Sequence, residues 1–193
     1  SIVIAKFREK QREIEAEIIS ELLSDLGHTI CQLPNSKYCF AEGGEFYYTP
    51  NESILFSGIS RNSRLGAEKT AELLDVNELV IIESSAFHVD TIFSPILDIH
   101  SNLCGLIACS TLMSQTSEES LKNVAKKYSI PFIDIQPNDA IGTDKKLGDF
   151  SVNCLSVPGH LIGPAPFTTS GVKEILIDLE ITHHIVSLSQ FRL

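Results

Sequence analysis

The sequence repeats one pattern of apolar and polar segments four times. In each copy an apolar segment leads through a polar connection into a segment of helical periodicity, and a second apolar segment follows. The copies begin near Ile2, Ile54, Leu106 and Leu155, at intervals of 52, 52 and 49 residues. A regular period of this length is typical of repeat architectures, in which each unit is one small supersecondary motif. The pattern therefore predicts four βαβ units in a propeller or another radial array.

The periodicity also predicts the elements within each unit. Helices are expected near residues 9–26, 66–74, 118–128 and 170–179, and closing strands near residues 29–33, 78–83, 131–135 and 184–188. The first helix carries isoleucines and leucines from Ile14 to Leu26 on one stripe of an otherwise charged surface, which is typical of an amphipathic helix. Gly27 follows as a candidate C-terminal cap.

One other architecture shares this alternation of strands and helices. A doubly wound α/β sheet is also built from consecutive βαβ units. The regular spacing favours the radial array, and the lack of a G-x-G-x-x-G motif after the first strand disfavours a dinucleotide-binding fold.

Composition excludes several classes of protein. The 193 residues are 43% hydrophobic and 21% charged, which is enough to build the core of one domain covering residues 1–193. The net charge is −10 and no stripe of Lys or Arg is present, so nucleic acid is not an expected partner. No apolar run approaches the roughly 18 residues that span a bilayer, so a membrane is not expected either.

The five cysteines indicate neither a disulfide framework nor a zinc site. They are Cys31, Cys39, Cys104, Cys109 and Cys154, an odd number at irregular spacing with no C-x-x-C motif. Reduced thiols in the cytoplasm are therefore the expectation, with each cysteine acting as a small hydrophobic residue. No metal ion is predicted, since the adjacent histidines at 183 and 184 lie on an expected strand and point to opposite faces.

Three short segments carry residues that could do chemistry. The first, residues 39–46, contains Glu42 and a second glutamate on either side of a glycine pair; the second, residues 57–64, contains Arg61; the third, residues 87–91, contains His88 and Asp90 two positions apart. Side chains two apart on a strand face the same side. Taken singly, a glycine pair is most often a turn, the arginine a solvated cation and the histidine a core residue.

The order of the three segments resembles the guanidine-modifying superfamily. That family has E/D-G-G-D/N, then G-x-S-x-R-T-N, then H-L-D or H-L-K, and it includes dimethylarginine dimethylaminohydrolases, arginine deiminases and arginine:glycine amidinotransferases. The resemblance covers essentially the whole chain. It implies an α/β propeller of five ββαβ repeats about a pseudo-fivefold axis, with about four of the five in this chain. The first repeat and the C-terminal segment with the nucleophilic cysteine are then expected outside residues 1–193.

The resemblance also implies roles for individual residues. Glu42 corresponds to a carboxylate that pairs with the substrate guanidinium, and His88 to the general acid/base. Asp90 corresponds to a second guanidinium-binding carboxylate, while Arg61 and Arg12 correspond to arginines that hold the substrate carboxylate. A thiolate would attack the guanidinium carbon and His88 would serve both proton transfers, so neither an organic cofactor nor a metal is needed.

Several activities remain open on the sequence. The implied reaction is hydrolysis of arginine or methylated arginine to citrulline through a covalent Cys-amidino intermediate. The compact repeats favour a dimethylaminohydrolase, whereas Asp90, where those enzymes commonly have lysine, favours a deiminase or an amidinotransferase. A non-catalytic binding protein on the same fold is the alternative from another class. None of the five cysteines corresponds to the nucleophile, so this chain alone is expected to be inactive, and the sequence gives no signal for an oligomeric state.

Overall fold

The computed structural model describes residues 2–186. Its helices are α1 Glu13–Asp25, α2 Arg64–Leu74, α3 Gln115–Tyr128 and α4 Val172–Asp178. Its strands are β1 Ile2–Val3, β2 Ile30–Cys31, β3 Phe46–Thr49, β4 Ile54–Gly58, β5 Glu78–Ile82, β6 Phe93–Leu97, β7 Leu103–Ala108, β8 Phe132–Asp134, β9 Gly142–Thr143, β10 Lys146–Leu147, β11 Leu155–Val157, β12 His160–Gly163 and β13 Thr182–Ile185. None of the helices in this range is both long enough and apolar enough to cross a membrane.

One unit recurs through the described residues. In the sheets β3-β4-β5, β6-β7-β8 and β11-β12-β13, the central strand pairs antiparallel with the strand before it and parallel with the strand after the helix. The strands β1 and β2 pair in parallel around α1 in the same way. The four predicted units are therefore present as a mixed α/β fold. Their sheets are separate within residues 2–186, so the doubly wound single sheet is wrong.

The fourth unit starts differently from the prediction. The sequence pattern placed the opening strand of this unit at residues 152–157 and equated it with β1, β4 and β7. In the structure, however, β11 is the antiparallel outer strand, and β12 is the central strand that corresponds to β4 and β7. A turn at Pro158 and Gly159 separates the two strands, and Gly159 has the positive φ of +75° that this turn requires. The predicted closing strand at 184–188 is β13 at Thr182–Ile185, and residues 187 and 188 lie outside the described residues.

The helices α2 and α3 begin and end at defined local signals. The Ser63 side chain accepts a hydrogen bond from the Gly66 amide at the start of α2, and Ser114 accepts one from the Ser117 amide at the start of α3. Both helices end at a residue in the left-handed conformation, Asp75 and Ser129. Each helix packs on its own unit and on the preceding one, since α2 contacts β1 and β5 while α3 contacts β5, β7 and β8.

The helix α1 packs differently from α2 and α3. It ends before Gly27, which has φ +83° as predicted for a C-terminal cap. None of its residues is buried, and the large apolar side chains of the predicted stripe are 48 to 66% exposed at Ile14, Ile18, Ile19, Leu22 and Leu26. The amphipathic pattern thus predicted the helix correctly, but the apolar stripe does not face the β1–β2 pair.

The main core lies among the central strands of units two to four. Phe56 and Phe93 are fully buried with their ring centroids 5.1 Å apart, and Tyr47 packs edge-on against Phe93 at 5.7 Å. These contacts join β3 and β4 to β6, because the three aromatic residues lie on these strands. The core therefore fixes the second unit against the third, and it is between these two units that the three motif segments meet.

Candidate functional site

The three motif segments lie at one end of the second unit. The antiparallel register pairs Phe46, which follows the glycine pair, with Ser57, which precedes the Gly58 loop. The 3-10 helix Val89–Thr91 leads into β6, which contacts β3, and it also contacts the 3-10 helix Gly43–Glu45. Segments far apart in the sequence therefore form one cluster because strand pairing brings their ends together.

Glu45 joins all three segments. Its side chain is completely buried. Its Oε1 accepts hydrogen bonds from the Ser60 hydroxyl at 2.6 Å and from the Arg61 amide at 3.2 Å, and it lies 3.2 Å from Nδ1 of His88. Its Oε2 accepts from the Val89 amide at 3.3 Å. The carboxylate thus anchors both the arginine loop and the histidine loop on the glycine-pair segment.

Two glycines of the motifs lie against the side chains of the cluster. A side chain would not fit at Gly58, and one at Gly44 would point toward His88 and Asp90. A Cβ on Gly58 would collide with Oε2 of Glu45 and would lie 2.7 Å from Cβ of Val89, so the loop can pack on Glu45 only through a glycine. A Cβ on Gly44 would lie 3.8 Å from Nδ1 of His88 and 3.8 Å from Oδ2 of Asp90. The histidine and the aspartate therefore lie side by side over the Gly44 backbone.

Glu42 faces arginines. Its carboxylate is 3% exposed, with Oε1 3.4 Å from Nη2 of Arg61 and Oε2 3.6 Å from Nη1 of Arg12. The Arg8 amide donates to Oε1 at 3.2 Å. The Glu42 amide donates to Oδ1 of buried Asn62 at 2.6 Å, which fixes the backbone at this point. Two guanidinium groups therefore share the Glu42 carboxylate at this side of the cluster.

Asp90 has an unused acceptor. Its Oδ1 is buried and has no hydrogen-bond partner among the described residues. Burial raises the pKa of Asp90 above its usual value, and the neighbouring His88 partly opposes that shift. A buried acceptor without a donor costs free energy, and a donor-rich cation is the ligand that would satisfy it.

An exposed aromatic ring borders the cluster. Phe87 is 59% exposed, which is unusual for a large apolar side chain beside charged groups. The Arg61 guanidinium lies 5.2 Å from the centroid of its ring, and the His88 ring packs edge-on against it at 4.4 Å. Phe87 therefore places an apolar ring beside both Arg61 and His88.

The structure brings the five predicted residues to one cluster. Glu42, Arg61, His88 and Asp90 lie together, with Arg12 at the edge beside Glu42. Residues 89–91 form a 3-10 helix rather than a strand, and Asp90 nevertheless lies beside His88.

Sequence reasoning missed the roles of Glu45 and Phe87. The signal for Glu45 was its place as the second acid of the glycine-pair motif, which had been noted without a role. The partners that define it come from loops at positions 60 and 88, and only the fold shows that these loops meet.

The cysteines differ from an activated nucleophile. Burial raises the pKa of the thiols of Cys39 and Cys109, that of Cys104 to about 11 and that of Cys154 to about 12. Cys154 lies in the loop before β11 rather than inside a strand, which corrects the sequence interpretation. A thiol with a raised pKa is a poor nucleophile because the thiolate is the reactive form.

The histidines at 183 and 184 point to opposite faces, as the sequence predicted. His183 packs against the Phe167 ring, and its Nε2 is 4.0 Å from Sγ of Cys154. His184 instead has Nε2 3.1 Å from Nδ1 of His160. Within residues 2–186 no group of three or more His, Cys, Asp or Glu side chains is placed to hold a metal ion.

Comparison with solved structures finds the same fold along nearly the whole chain. A mutant of the N-terminal domain of ArgZ bound to substrate, an arginine dihydrolase from the ornithine–ammonia cycle in cyanobacteria, matches with a TM-score of 0.75 at 22% identity, over 98% of this chain and 65% of that chain. A mutant of AgrE in complex with L-arginine matches with a TM-score of 0.75 at 21% identity, over 98% of this chain and 26% of that chain. A dimethylarginine dimethylaminohydrolase adduct with 4-chloro-2-hydroxymethylpyridine matches with a TM-score of 0.69 at 17% identity, over 98% and 67%.

These matches show that the chain has the fold of the guanidine-modifying, or pentein, superfamily, which the order of the motifs had indicated. No protein-family model matches the sequence, and no curated protein matches it. The chain spans less than two thirds of the ArgZ domain and about a quarter of AgrE.

Proposed function

We propose that the cluster around His88 and Asp90 binds the guanidinium group of arginine or a methylated arginine. The observation that carries this proposal is the buried Oδ1 of Asp90, which has no donor within the described residues although it lies beside a histidine and over a glycine backbone. A guanidinium is planar and always charged, and its donors form a fork that carboxylates can accept.

The arginines near Glu42 would hold the other end of the ligand. Arg61 and Arg12 are paired with Glu42 in the structure. An amino-acid carboxylate can replace Glu42 as their partner, since arginine binds any carboxylate through the same fork. Glu42 would then be released to accept from the guanidinium together with Asp90. This exchange links recognition of the two ends of one substrate.

The proposed reaction is hydrolysis at the guanidinium carbon. A thiolate adds to this carbon, and His88 gives a proton to the departing amine, so that a Cys-amidino intermediate forms. His88 then takes a proton from water, which attacks the same carbon and releases citrulline and the free thiol. A variant of the ArgZ N-terminal domain has been solved covalently bound to a reaction intermediate, which supports a covalent route for the fold. No organic cofactor or metal is part of this proposal.

The thiol pKa values support a further part of the proposal. Burial holds four of the five thiols in the protonated form, so we propose that this chain alone binds the substrate without turning it over. The same observation favours the second candidate function, a binding protein on this fold. Asp90 keeps an arginine deiminase or an amidinotransferase as alternatives within the catalytic class.

The arrangement of the units and the location of the protein in the cell are two further parts of the proposal. We propose that the four units surround a pseudo-fivefold axis as blades of an α/β propeller, which is supported by the contacts of β6 in the third unit with β3 of the second unit and with β11 of the fourth. We also propose a cytoplasmic protein, which is supported by five free thiols in the structure.

Calorimetric titration of the chain with matched ligands tests the binding step. Arginine and its mono- and dimethylated forms should bind. Citrulline should bind much more weakly because its ureido group is neutral. Agmatine should bind more weakly than arginine, because it lacks the carboxylate that Arg61 and Arg12 would hold. Equal binding of citrulline and arginine would overturn the proposal. Assay of citrulline and ornithine in the same samples should find neither product; steady formation of either one would redirect the nucleophile assignment to the cysteines of this chain.

A further inference from the structure

The ring of Phe87 contacts both ends of the candidate site. The Arg61 guanidinium, which would hold the carboxylate of the ligand, lies 5.2 Å from the centroid of the Phe87 ring. The imidazole of His88, which would lie at the guanidinium of the ligand, packs edge-on against the same ring with the centroids 4.4 Å apart. The part of a ligand that joins these two ends therefore lies beside Phe87.

The Phe87 ring also has apolar surface that the described residues leave uncovered. Its side chain is 59% exposed although both Arg61 and His88 contact it. Its main chain is nevertheless held in place, because the Ser60 hydroxyl lies 2.8 Å from the Phe87 carbonyl oxygen and 2.6 Å from Oε1 of Glu45. Apolar surface in water is unfavourable, and an apolar part of a ligand would cover it.

We propose that Phe87 is a specificity-determining residue that packs against the aliphatic stem of the bound arginine. The inference rests on the proposed function, in which Arg61 holds the carboxylate and His88 lies at the guanidinium. Arginine has an unbranched methylene stem between these two groups, and such stems pack along apolar surface while the charged head keeps its polar partners. Phe87 thus selects guanidines that carry an alkyl stem over small guanidines.

The charged side chains of the cluster recognise the ends of the ligand and not its stem. Glu42 and Asp90 are carboxylates that accept from a guanidinium, and Arg61 is a cation that pairs with a carboxylate. A guanidine without a stem keeps the contacts with the carboxylates but leaves the Phe87 ring in water. The preference for a longer ligand therefore depends on the apolar area that Phe87 buries.

Two ligands that lack a carboxylate isolate this contact. Methylguanidine and propylguanidine share the guanidinium group and differ only in the length of the stem. In titrations of the wild-type chain followed by NMR, propylguanidine should bind about tenfold more tightly, because its additional methylene groups are buried. Phe87→Ala should reduce this preference to about twofold or less and leave the affinity for methylguanidine unchanged. Phe87→Leu should keep most of the preference, because leucine is also apolar.

Ile99→Ala is the matched control. Ile99 is 65% exposed and follows β6, whose other end leads back to residues 89–91, so this variant should keep the wild-type preference. An unchanged preference in Phe87→Ala would overturn the proposal. An equal loss of affinity for both guanidines in Phe87→Ala would overturn it as well, since that result means that Phe87 only supports Arg61 or His88.

The wild-type chain decides the matter even where a variant fails to fold. Intermolecular nuclear Overhauser effects should join the ring protons of Phe87 to the methylene protons of bound arginine. Their absence with arginine bound, or equal binding of the two guanidines, would overturn the role of Phe87 and leave the guanidinium site intact. If neither arginine nor methylguanidine binds, the guanidinium site itself is wrong, and the role of Phe87 falls with it.

Discussion

Two regions of the molecule place a histidine beside a second reactive side chain, and their surroundings differ. His88 lies 3.2 Å from the carboxylate of Glu45, with Asp90 beside it. His183 lies 4.0 Å from the thiol of Cys154. By residue type alone, the second pair resembles a nucleophile and base more closely than the first. The surroundings reverse that ranking.

The difference lies in the charges around each histidine. Two carboxylates border His88, so a cationic ligand would find acceptors at this place. Around Cys154 burial dominates, since it raises the pKa of the thiol to about 12, and burial together with His184 lowers the pKa of His183. Both groups of the second pair are therefore kept neutral at neutral pH. The comparison therefore leads us to expect a charged ligand at His88 and none at the buried, neutral pair of His183 and Cys154.

The largest effect that we expect is a slow reaction of the Cys154 thiol with alkylating reagents, which would sharpen the contrast between the two regions. Its pKa is raised from 9.0 to about 12, so its thiolate fraction at pH 8 should be about 10³-fold lower than that of an unperturbed thiol. Iodoacetamide labelling of the folded chain, followed by peptide mass mapping, should modify partly exposed Cys31 much sooner than Cys154. Denaturant should abolish the difference, and equal rates in the folded chain would break the comparison.

The second largest effect is expected from replacing Asp90 in the His88 region, which should weaken arginine binding. Asp90→Asn keeps the shape but loses the charge, so arginine affinity at neutral pH should fall about 10- to 100-fold, as for a lost charge-assisted hydrogen bond. Calorimetry measures the change. Asp144→Asn, at an exposed position, and Cys154→Ser are the controls that should leave the affinity unaltered. An unchanged affinity in Asp90→Asn would remove Asp90 from the site.

The pH dependence of arginine binding should reflect the ionisation of Asp90. Burial raises the pKa of Asp90 in the free protein, and a cationic ligand requires the ionised form. Arginine affinity should therefore be full well above that raised pKa and fall by up to about tenfold per pH unit below it. The fall should begin at a higher pH than for an ordinary aspartate, and it should flatten in Asp90→Asn. Titrations at successive pH values measure it; a wild-type affinity that stays constant on acidification would contradict it.

The two arginines should differ by a smaller factor. Arg61 is 19% exposed and forms an ion pair with Glu42, whereas Arg12 is 40% exposed and also pairs with Glu15 at 2.9 Å. Arg61→Gln should lower arginine affinity by about tenfold, and Arg12→Gln by only about two- to fivefold because exposed pairs contribute little. Agmatine, which lacks the carboxylate, should respond to neither substitution. A larger loss in Arg12→Gln than in Arg61→Gln would reverse the assignment.

Much of the fold followed from local patterns in the sequence. The helices α2 and α3 have serine caps and a helical apolar period, and these signals depend only on neighbouring residues. The resemblance implied an outer strand in each ββαβ unit, but the residue pattern did not locate β3 and β6, because each precedes the apolar segment on which the pattern was read. The exposure of the α1 stripe was not predictable either, because the sequence shows which face of a helix is apolar but not what packs on it.

Some residues of the candidate site could likewise be predicted from the sequence, and others could not. Glu42, Arg61, His88 and Asp90 were found from the order of the motifs. The role of Glu45 depends on distances between loops that are separated by 15 and 43 positions in the chain, so it needed the strand register. The raised pKa of the Cys154 thiol depends on burial, which the sequence indicated only as a small residue in an apolar stretch.

An arginine titration monitored by NMR at both histidines tests the central claim most directly, because it shows at which of the two regions arginine binds. Specific labelling of histidine rings and assignment by His88→Gln and His183→Gln give each signal separately. The His88 ring signals should shift saturably with arginine and stay unchanged with citrulline, while the His183 signals stay unchanged with both. Saturable shifts at His183, or a His88 ring that does not respond to arginine, would contradict the assignment of the guanidinium site.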